Sequence, residues 1–252
     1  MPTPKQSVSA LHPTRARLAN LFQQPGIVTW ESSLVDSNEL LYPEEIALIS
    51  GCVKKRQLEF AASRRGARKA LAALGITGFP LLPGQDRAPI WPPKVVGSIT
   101  HTEGCPGGYC GVAVADMGLT CGLGIDAEPS LPLPPELWPQ ILDNQEQRDA
   151  LSAARPGIQA RLVFSAKETT YKALYPIGRQ FLEFSDVHIE TRSEEGLFFA
   201  SLVGAAMRLY PAHQRLVGRL VIDDELIMTA MVLPPGGFPL AQERLSMHHL
   251  PC

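Results

Sequence analysis

Proline placement constrains this chain more than any other feature. Prolines gather in two stretches: residues 81–93, with Pro83, Pro89, Pro92 and Pro93, and residues 129–139, with Pro129, Pro132, Pro134, Pro135 and Pro139. Proline fixes φ and donates no backbone hydrogen bond, so neither stretch can run as a helix interior or an inner strand. Both must be connections, and they divide the regular elements between them. Through residues 43–74 the apolar positions Ile46, Ile49, Val53, Phe60, Ala67, Leu71 and Leu74 recur at helical spacing or its multiples, as one amphipathic helix or a broken pair, with Gly75 as the stop. Residues 95–100, 109–115 and 119–126 read as three short strands, and Ile27, Val28 and Trp30 mark an earlier one. Beyond the second stretch come helical segments at 141–154 and 161–175, the latter expected to stop at Pro176. Strands at 187–190, 197–203, 216–222 and 226–233 follow. Helix then strands, twice over, predicts an α+β chain of two halves, 1–119 and 120–252, with a Pro/Gly-rich tail from about 234.

Composition narrows the function. Lys and Arg total 23 against 25 acids, a net charge of −2, which argues against coating nucleic acid or membrane by bulk electrostatics. The longest uncharged run, residues 226–242, is broken by Pro234, Pro235, Gly236 and Gly237, so no membrane span is expected. The N-terminus shows no apolar core of a secretory signal, and a cytoplasmic protein is expected. Five cysteines at irregular spacing predict free thiols rather than a disulfide framework. Cys105, Cys110, Cys121 and His101 lack the paired spacing of a zinc site, and the usual phosphate-loop, dinucleotide and nucleophile-elbow motifs are missing.

Four segments could carry chemistry. In the strand around Gly122-Leu123-Gly124-Ile125-Asp126-Ala127-Glu128, alternation puts Leu123 and Ile125 on one face and the glycines, Asp126 and Glu128 on the other. Two carboxylates beside glycines that leave room for a ligand can supply oxygen ligands to a divalent cation; the plain alternative is a solvated strand end. In Phe164-Ser165-Ala166-Lys167-Glu168-Thr169-Thr170-Tyr171-Lys172, Glu168 and Lys172 are helical neighbours: an ordinary exposed ion pair, or a third metal carboxylate with Lys167 or Lys172 on phosphate. Gly97-Ser98-Ile99-Thr100-His101 ends a strand among hydroxyls and suits phosphate oxygens, or holds a structural histidine. Residues 54–69 carry seven cations against the single acid Glu59, either a solvated face or a surface for phosphate or an acidic partner.

Together, Gly97-Ser98-Ile99-Thr100-His101, Gly124-Ile125-Asp126-Ala127-Glu128 and Phe164-Ser165-Ala166-Lys167-Glu168 with Lys172 and Ala173 resemble, in order and spacing, the signature of the 4'-phosphopantetheinyl transferases. The basic helix from Arg56 to Arg68, Arg87-Ala88-Pro89-Ile90-Trp91-Pro92 and Tyr171-Lys172-Ala173-Leu174 make the chain most similar to the bacterial branch that includes the enterobactin synthetase component. The resemblance spans roughly residues 42–233.

It implies a monomer of two similar α+β halves, with coenzyme A as co-substrate in the cleft between them and Mg2+ on its pyrophosphate. Phosphopantetheine would pass to a serine of an apo acyl or peptidyl carrier protein, and adenosine 3',5'-bisphosphate would leave. By position, Asp126, Glu128 and Glu168 would hold the metal, Glu168 would also serve as base, and Lys172 would neutralise pyrophosphate charge. Arg56, Arg64, Arg87, Ser98, Thr100, His101, Lys167 and Lys172 would contact coenzyme A. Many relatives carry Gly-Lys-Pro where this chain has Arg87-Ala88-Pro89, so the lysine contact passes to Arg87 or is lost. Two rival readings stand beside it: a metal-dependent phosphohydrolase that uses the same three carboxylates with water as nucleophile, and a non-catalytic module docking acidic helical partners on residues 54–69, which leaves Asp126, Glu128 and Glu168 unexplained.

Overall fold

The computed structural model describes residues 17–34, 41–213 and 215–235. Two antiparallel sheets form, each with one long helix laid across it. The first has the order β1-β3-β2, from β1 (Val28–Ser32), β2 (Val95–Thr102) and β3 (Tyr109–Asp116). Its helical cover is α1 (Pro43–Ile49) and α2 (Lys54–Ala73), so the apolar period belongs to a broken pair. Gln57 bridges the break by donating to the carbonyls of Ile49 and Cys52. Gly75 ends the second helix at φ +81, a conformation glycine adopts without cost.

The second sheet has the order β4-β8-β7-β6-β5, from β4 (Gly122–Pro129), β5 (Val187–Arg192), β6 (Leu197–Leu202), β7 (Arg215–Ile222) and β8 (Leu226–Leu233). Short helices α3 (Trp138–Ile141) and α4 (Asn144–Ser152) follow the second proline stretch, and α6 (Gly204–Leu209) precedes β7. The long α5 (Pro156–Gly178) covers the sheet. It begins earlier than expected, on Pro156 in the first turn, where the missing N–H costs nothing. Nor does it stop at Pro176: Ile177 is buried in the core and the Arg179 N–H closes the last turn on the Tyr175 carbonyl, so tertiary packing outweighs one lost hydrogen bond. β4 is shorter than expected at its start, because residues 116–119 turn on an Asp116 carbonyl and Thr120 hydrogen-bonds the Leu233 carbonyl.

The two sheets meet edge to edge where β2 lies beside β4, without a backbone ladder between them. Side chains bridge instead: the Ile125 N–H donates to Ser98 Oγ at 3.1 Å and the Ala127 N–H to Thr100 Oγ1 at 3.0 Å. Buried strand-edge donors require such partners. Behind this seam lies a core drawn from both halves, with Val96, Tyr109, Ala113 and Ala115 packed on Leu123, Ile125, Leu226 and Met228, and Leu18 and Leu21 closing it. Separate clusters fill each helix–sheet layer. Cys52, Cys105 and Cys110 are free thiols, and no helix among the described residues is long and apolar enough to cross a membrane. Cys252 and the tail expected beyond residue 235 lie outside the described residues.

Candidate functional site

The site grows from the contact of α5 with β4. A side chain at Gly122 or Gly124 would run into the helix backbone at Ala173 and Thr169. The glycines therefore make room for α5 and not for a ligand, which corrects the expectation from sequence. The helix underside is tied down by hydroxyls: Thr229 of β8 meets Thr169 Oγ1 at 2.6 Å and Ser165 Oγ at 2.9 Å, all three residues fully buried. Thr229 pairs with Asp126 in the ladder, so the same anchoring fixes β4 where its acids begin.

Asp126 and Glu128 stand on the strand face turned to α5, and each meets a cation from it. Asp126 Oδ1 accepts from Lys172 Nζ at 2.7 Å and from Thr100 Oγ1 at 3.3 Å, while Oδ2 is buried without a partner. Glu128 Oε2 accepts from Arg161 Nη1 at 2.7 Å. Burial first, then the Asp126 charge, pushes the Glu128 carboxyl up to about 7 against the pull of Arg161. Burial also raises the Glu168 carboxyl, with Lys172 opposing and Asp126 adding. His101 is held below the ordinary histidine range by burial, with Arg56 and Lys172 adding to this and Glu59 and Asp126 opposing. Two carboxyls that the charge of Asp126 helps to raise, and the orphaned buried oxygen of Asp126 itself, suit a hard divalent cation. Among the described residues, side chains whose ligand atoms lie within 4.8 Å of one another occur at Asp143, Glu146 and His188, but there Lys167 already supplies the cation, 2.7 Å from Glu146.

Several expected coenzyme A contacts are engaged in other work. Lys167 is 2% exposed, donating to the carbonyls of Ile141 and Phe184 and paired with Glu146, so it faces the C-terminal core and not a phosphate. The reason is helical geometry, which sends neighbours 167 and 168 to different faces. Ser98 and Thr100 use their hydroxyl oxygens on β4 N–H groups. Arg64 donates to the Leu81 carbonyl at 2.6 Å and stacks 4.0 Å from the Phe60 ring centre, and burial lowers its guanidinium to about 10. Arg56 is exposed and paired with Glu59, 3.9 Å from His101 Nδ1 on the other carboxylate oxygen. Arg87 stands at an exposed loop tip with φ +66. The basic run is thus no single open face, since Lys55 meets Glu103 and Arg68 meets Glu45 as well.

Some site neighbours escaped the sequence reading. Arg161 and Tyr175 lie seven residues to either side of Glu168, a stripe along α5 that the helical period could have supplied, whereas Arg179 sits on the left-handed cap beyond the helix. Asp86, which meets Tyr175 across the two halves, had no local signal. Beside Glu168 a mainly apolar groove is lined by Tyr171, Phe181, Leu182, Phe184 and Val187, with Lys167 and Glu183 also in its wall.

The 4'-phosphopantetheinyl transferase N-terminal domain model matches residues 44–115. The 4'-phosphopantetheinyl transferase superfamily model matches residues 122–222. The chain is 39% identical over 211 residues to the 4'-phosphopantetheinyl transferase Svp of Streptomyces mobaraensis, covering 80% of this chain and 82% of that protein. It belongs to the 4'-phosphopantetheinyl transferase superfamily. Within that superfamily, PptT of Mycobacterium tuberculosis is 36% identical over 197 residues, covering 76% of this chain and 85% of PptT. Enterobactin synthase component D of Escherichia coli is 32% identical over 138 residues, covering 54% of this chain and 63% of that protein. The enterobactin likeness is therefore real but shorter than the likeness to Svp and PptT. The second superfamily match begins at Gly122, the first residue of β4, where the chain enters the second sheet.

Proposed function

We propose that this enzyme transfers 4'-phosphopantetheine from coenzyme A to a serine of an apo acyl or peptidyl carrier protein, releasing adenosine 3',5'-bisphosphate. The observation that carries it is the gathering of Asp126, Glu128, Glu168 and Lys172 at the seam of the two halves. In the reaction the serine oxygen bonds to the phosphorus nearer the pantetheine, the bond from that phosphorus to the bridging oxygen breaks, and the bisphosphate takes the electron pair. Glu168, raised by burial, accepts the serine proton. Lys172, on the next turn, offers an ammonium to the leaving pyrophosphate oxygens, and His101 offers a ring nitrogen to the phosphates. Mg2+ held by Asp126, Glu128 and Glu168 would screen the pyrophosphate charge. The apolar groove at Tyr171 and Phe181 suits the pantetheine arm.

On this reading the nucleophile comes from the carrier, which is why the chain needs no activated serine or cysteine of its own. The two halves, 1–119 and 120–252, would work as one cytoplasmic monomer, and the enterobactin likeness favours a siderophore carrier among fatty-acid, polyketide and peptide systems. Incubation with coenzyme A, Mg2+ and a panel of apo carriers, followed by mass spectrometry, should add one phosphopantetheine arm to a carrier. Cleavage of coenzyme A without any carrier gaining mass would sink the reading in favour of a hydrolase. Asp126→Ala and Glu168→Ala should fold and lose transfer by about a hundredfold or more.

A further inference from the structure

Residues 82–90 form a narrow hairpin: the Ile90 N–H donates to the Leu82 carbonyl, the Gly84 N–H to Ala88, and the Arg87 N–H to Gly84. Its legs are fixed on the N-terminal half. Leu81 is held at both backbone groups, by Glu45 on its N–H and Arg64 on its carbonyl, and Trp91 lies directly on Gly97 of β2. The tip reaches the other half through one side chain. Asp86 Oδ2 accepts from the Tyr175 hydroxyl at 2.6 Å and from Arg179 Nη1 at 3.0 Å, while Oδ1 accepts from the Ala88 N–H at 3.0 Å. One carboxylate thus joins the hairpin tip to the end of α5 and shapes the turn that contains Arg87.

Glu168, Lys172 and Tyr175 follow one another along a single stripe of α5, and Arg179 caps the helix end at φ +50. Tyr175 lies seven residues past Glu168, roughly 10 Å along the helix. On the transferase reading, with the pantetheine arm in the groove at Tyr171 and Phe181 and the pyrophosphate at Lys172, the nucleotide portion is assigned to the hairpin, whose exposed tip carries Arg87. We propose that Asp86 is a positioning residue for this nucleotide end, holding Arg87-Ala88-Pro89 against α5 so that the loop forms a fixed wall; this rests on the transferase reading above. The clasp is exposed, so its contribution to overall stability is small and its effect falls on the loop.

Tryptic cleavage after Arg87 and steady-state kinetics, applied to Asp86→Ala and Tyr175→Phe in the full chain, test this. Both variants should melt as the wild type does, yet be cut faster at Arg87. The KM for coenzyme A should rise about tenfold with kcat held within about twofold, the pattern of lost binding with the chemistry intact. Adenosine 3',5'-bisphosphate, which carries only the nucleotide end, should inhibit them correspondingly less. The double variant should be no worse than Asp86→Ala, because both changes break one clasp. Unchanged cleavage at Arg87 would overturn the clasp; faster cleavage with unchanged KM and inhibition would overturn its positioning role. A wild-type chain that transferred nothing would remove the transferase reading and this role with it, while cleavage at Arg87 would still decide whether the clasp exists.

Discussion

Glu128 is the residue whose charge the fold works against. Its carboxyl stands at about 7, above the ordinary 4.5, because burial and Asp126 together outweigh Arg161. A carboxyl raised on folding adds stability that is complete below its unfolded value and lost as pH rises through its folded value. In chelator, the wild-type protein should therefore lose on the order of 2 kcal/mol between about pH 5 and pH 8 through this group. Glu128→Gln should flatten that part of the profile, and Mg2+ at the alkaline end should restore stability to the wild type far more than to the variant. Thermal melts across pH, with and without Mg2+, read both effects; identical profiles for the two proteins would count against a strained acidic site. Gly124 constrains the same contact from below. Gly124→Ala would drive a methyl group into the backbone of α5 at Thr169, with no flexible side chain to yield. A loss of about 2 kcal/mol or more in urea unfolding is expected, with activity falling as Glu168 shifts from Asp126.

At the scale of elements, the seam between β2 and β4 rests on two hydroxyls, and they differ in what else they touch. Ser98→Ala and Thr100→Val would leave the buried Ile125 and Ala127 N–H groups unpaired, each at a cost of about 1–3 kcal/mol. Thr100 also donates to Asp126, so Thr100→Val should reduce transfer more than its stability loss explains, whereas Ser98→Ala should not. Melting curves compared with kcat separate the two effects. The same seam shows what was legible beforehand. Patterns of local period were readable: β8 runs over residues 226–233 as expected, and Asp126, Glu128 and Glu168 were picked out as acids on strand and helix. What a side chain meets across the molecule was not. That Ser98 and Thr100 also hold the β4 edge has no local sign, because nothing in their own segment reveals a strand packed beside them. Lys167 read as a phosphate cation because its partner Glu146 lies on another helix, and Pro176 read as a stop because the burial of Ile177 is a tertiary fact.

At the scale of the whole molecule, the halves share a core as well as a seam. Leu123, Ile125, Leu226 and Met228 of the second half are buried against Val96, Tyr109 and Ala113 of the first, under Leu18 and Leu21. Either half alone would expose these side chains to water, at roughly 1.5–3 kcal/mol for each large one. That penalty is comparable to the whole net stability of a domain of this kind, about 5–15 kcal/mol, so neither half should hold its fold without the other. The three tryptophans report on this separately: Trp30 and Trp91 sit in the first half and Trp138 in the second, where its indole N–H donates to the Leu133 carbonyl. A Trp30→Phe/Trp91→Phe protein keeps the reporter of the second half, and Trp138→Phe keeps those of the first. Within each variant the urea midpoint by fluorescence should coincide with the midpoint by far-ultraviolet circular dichroism, as one cooperative transition requires. Separate midpoints would mean that the halves unfold independently and that the shared core is too weak to couple them. Coincident midpoints would instead show that the acidic site, where Asp126 of β4 is joined through Thr100 to β2, is present only while both halves are folded.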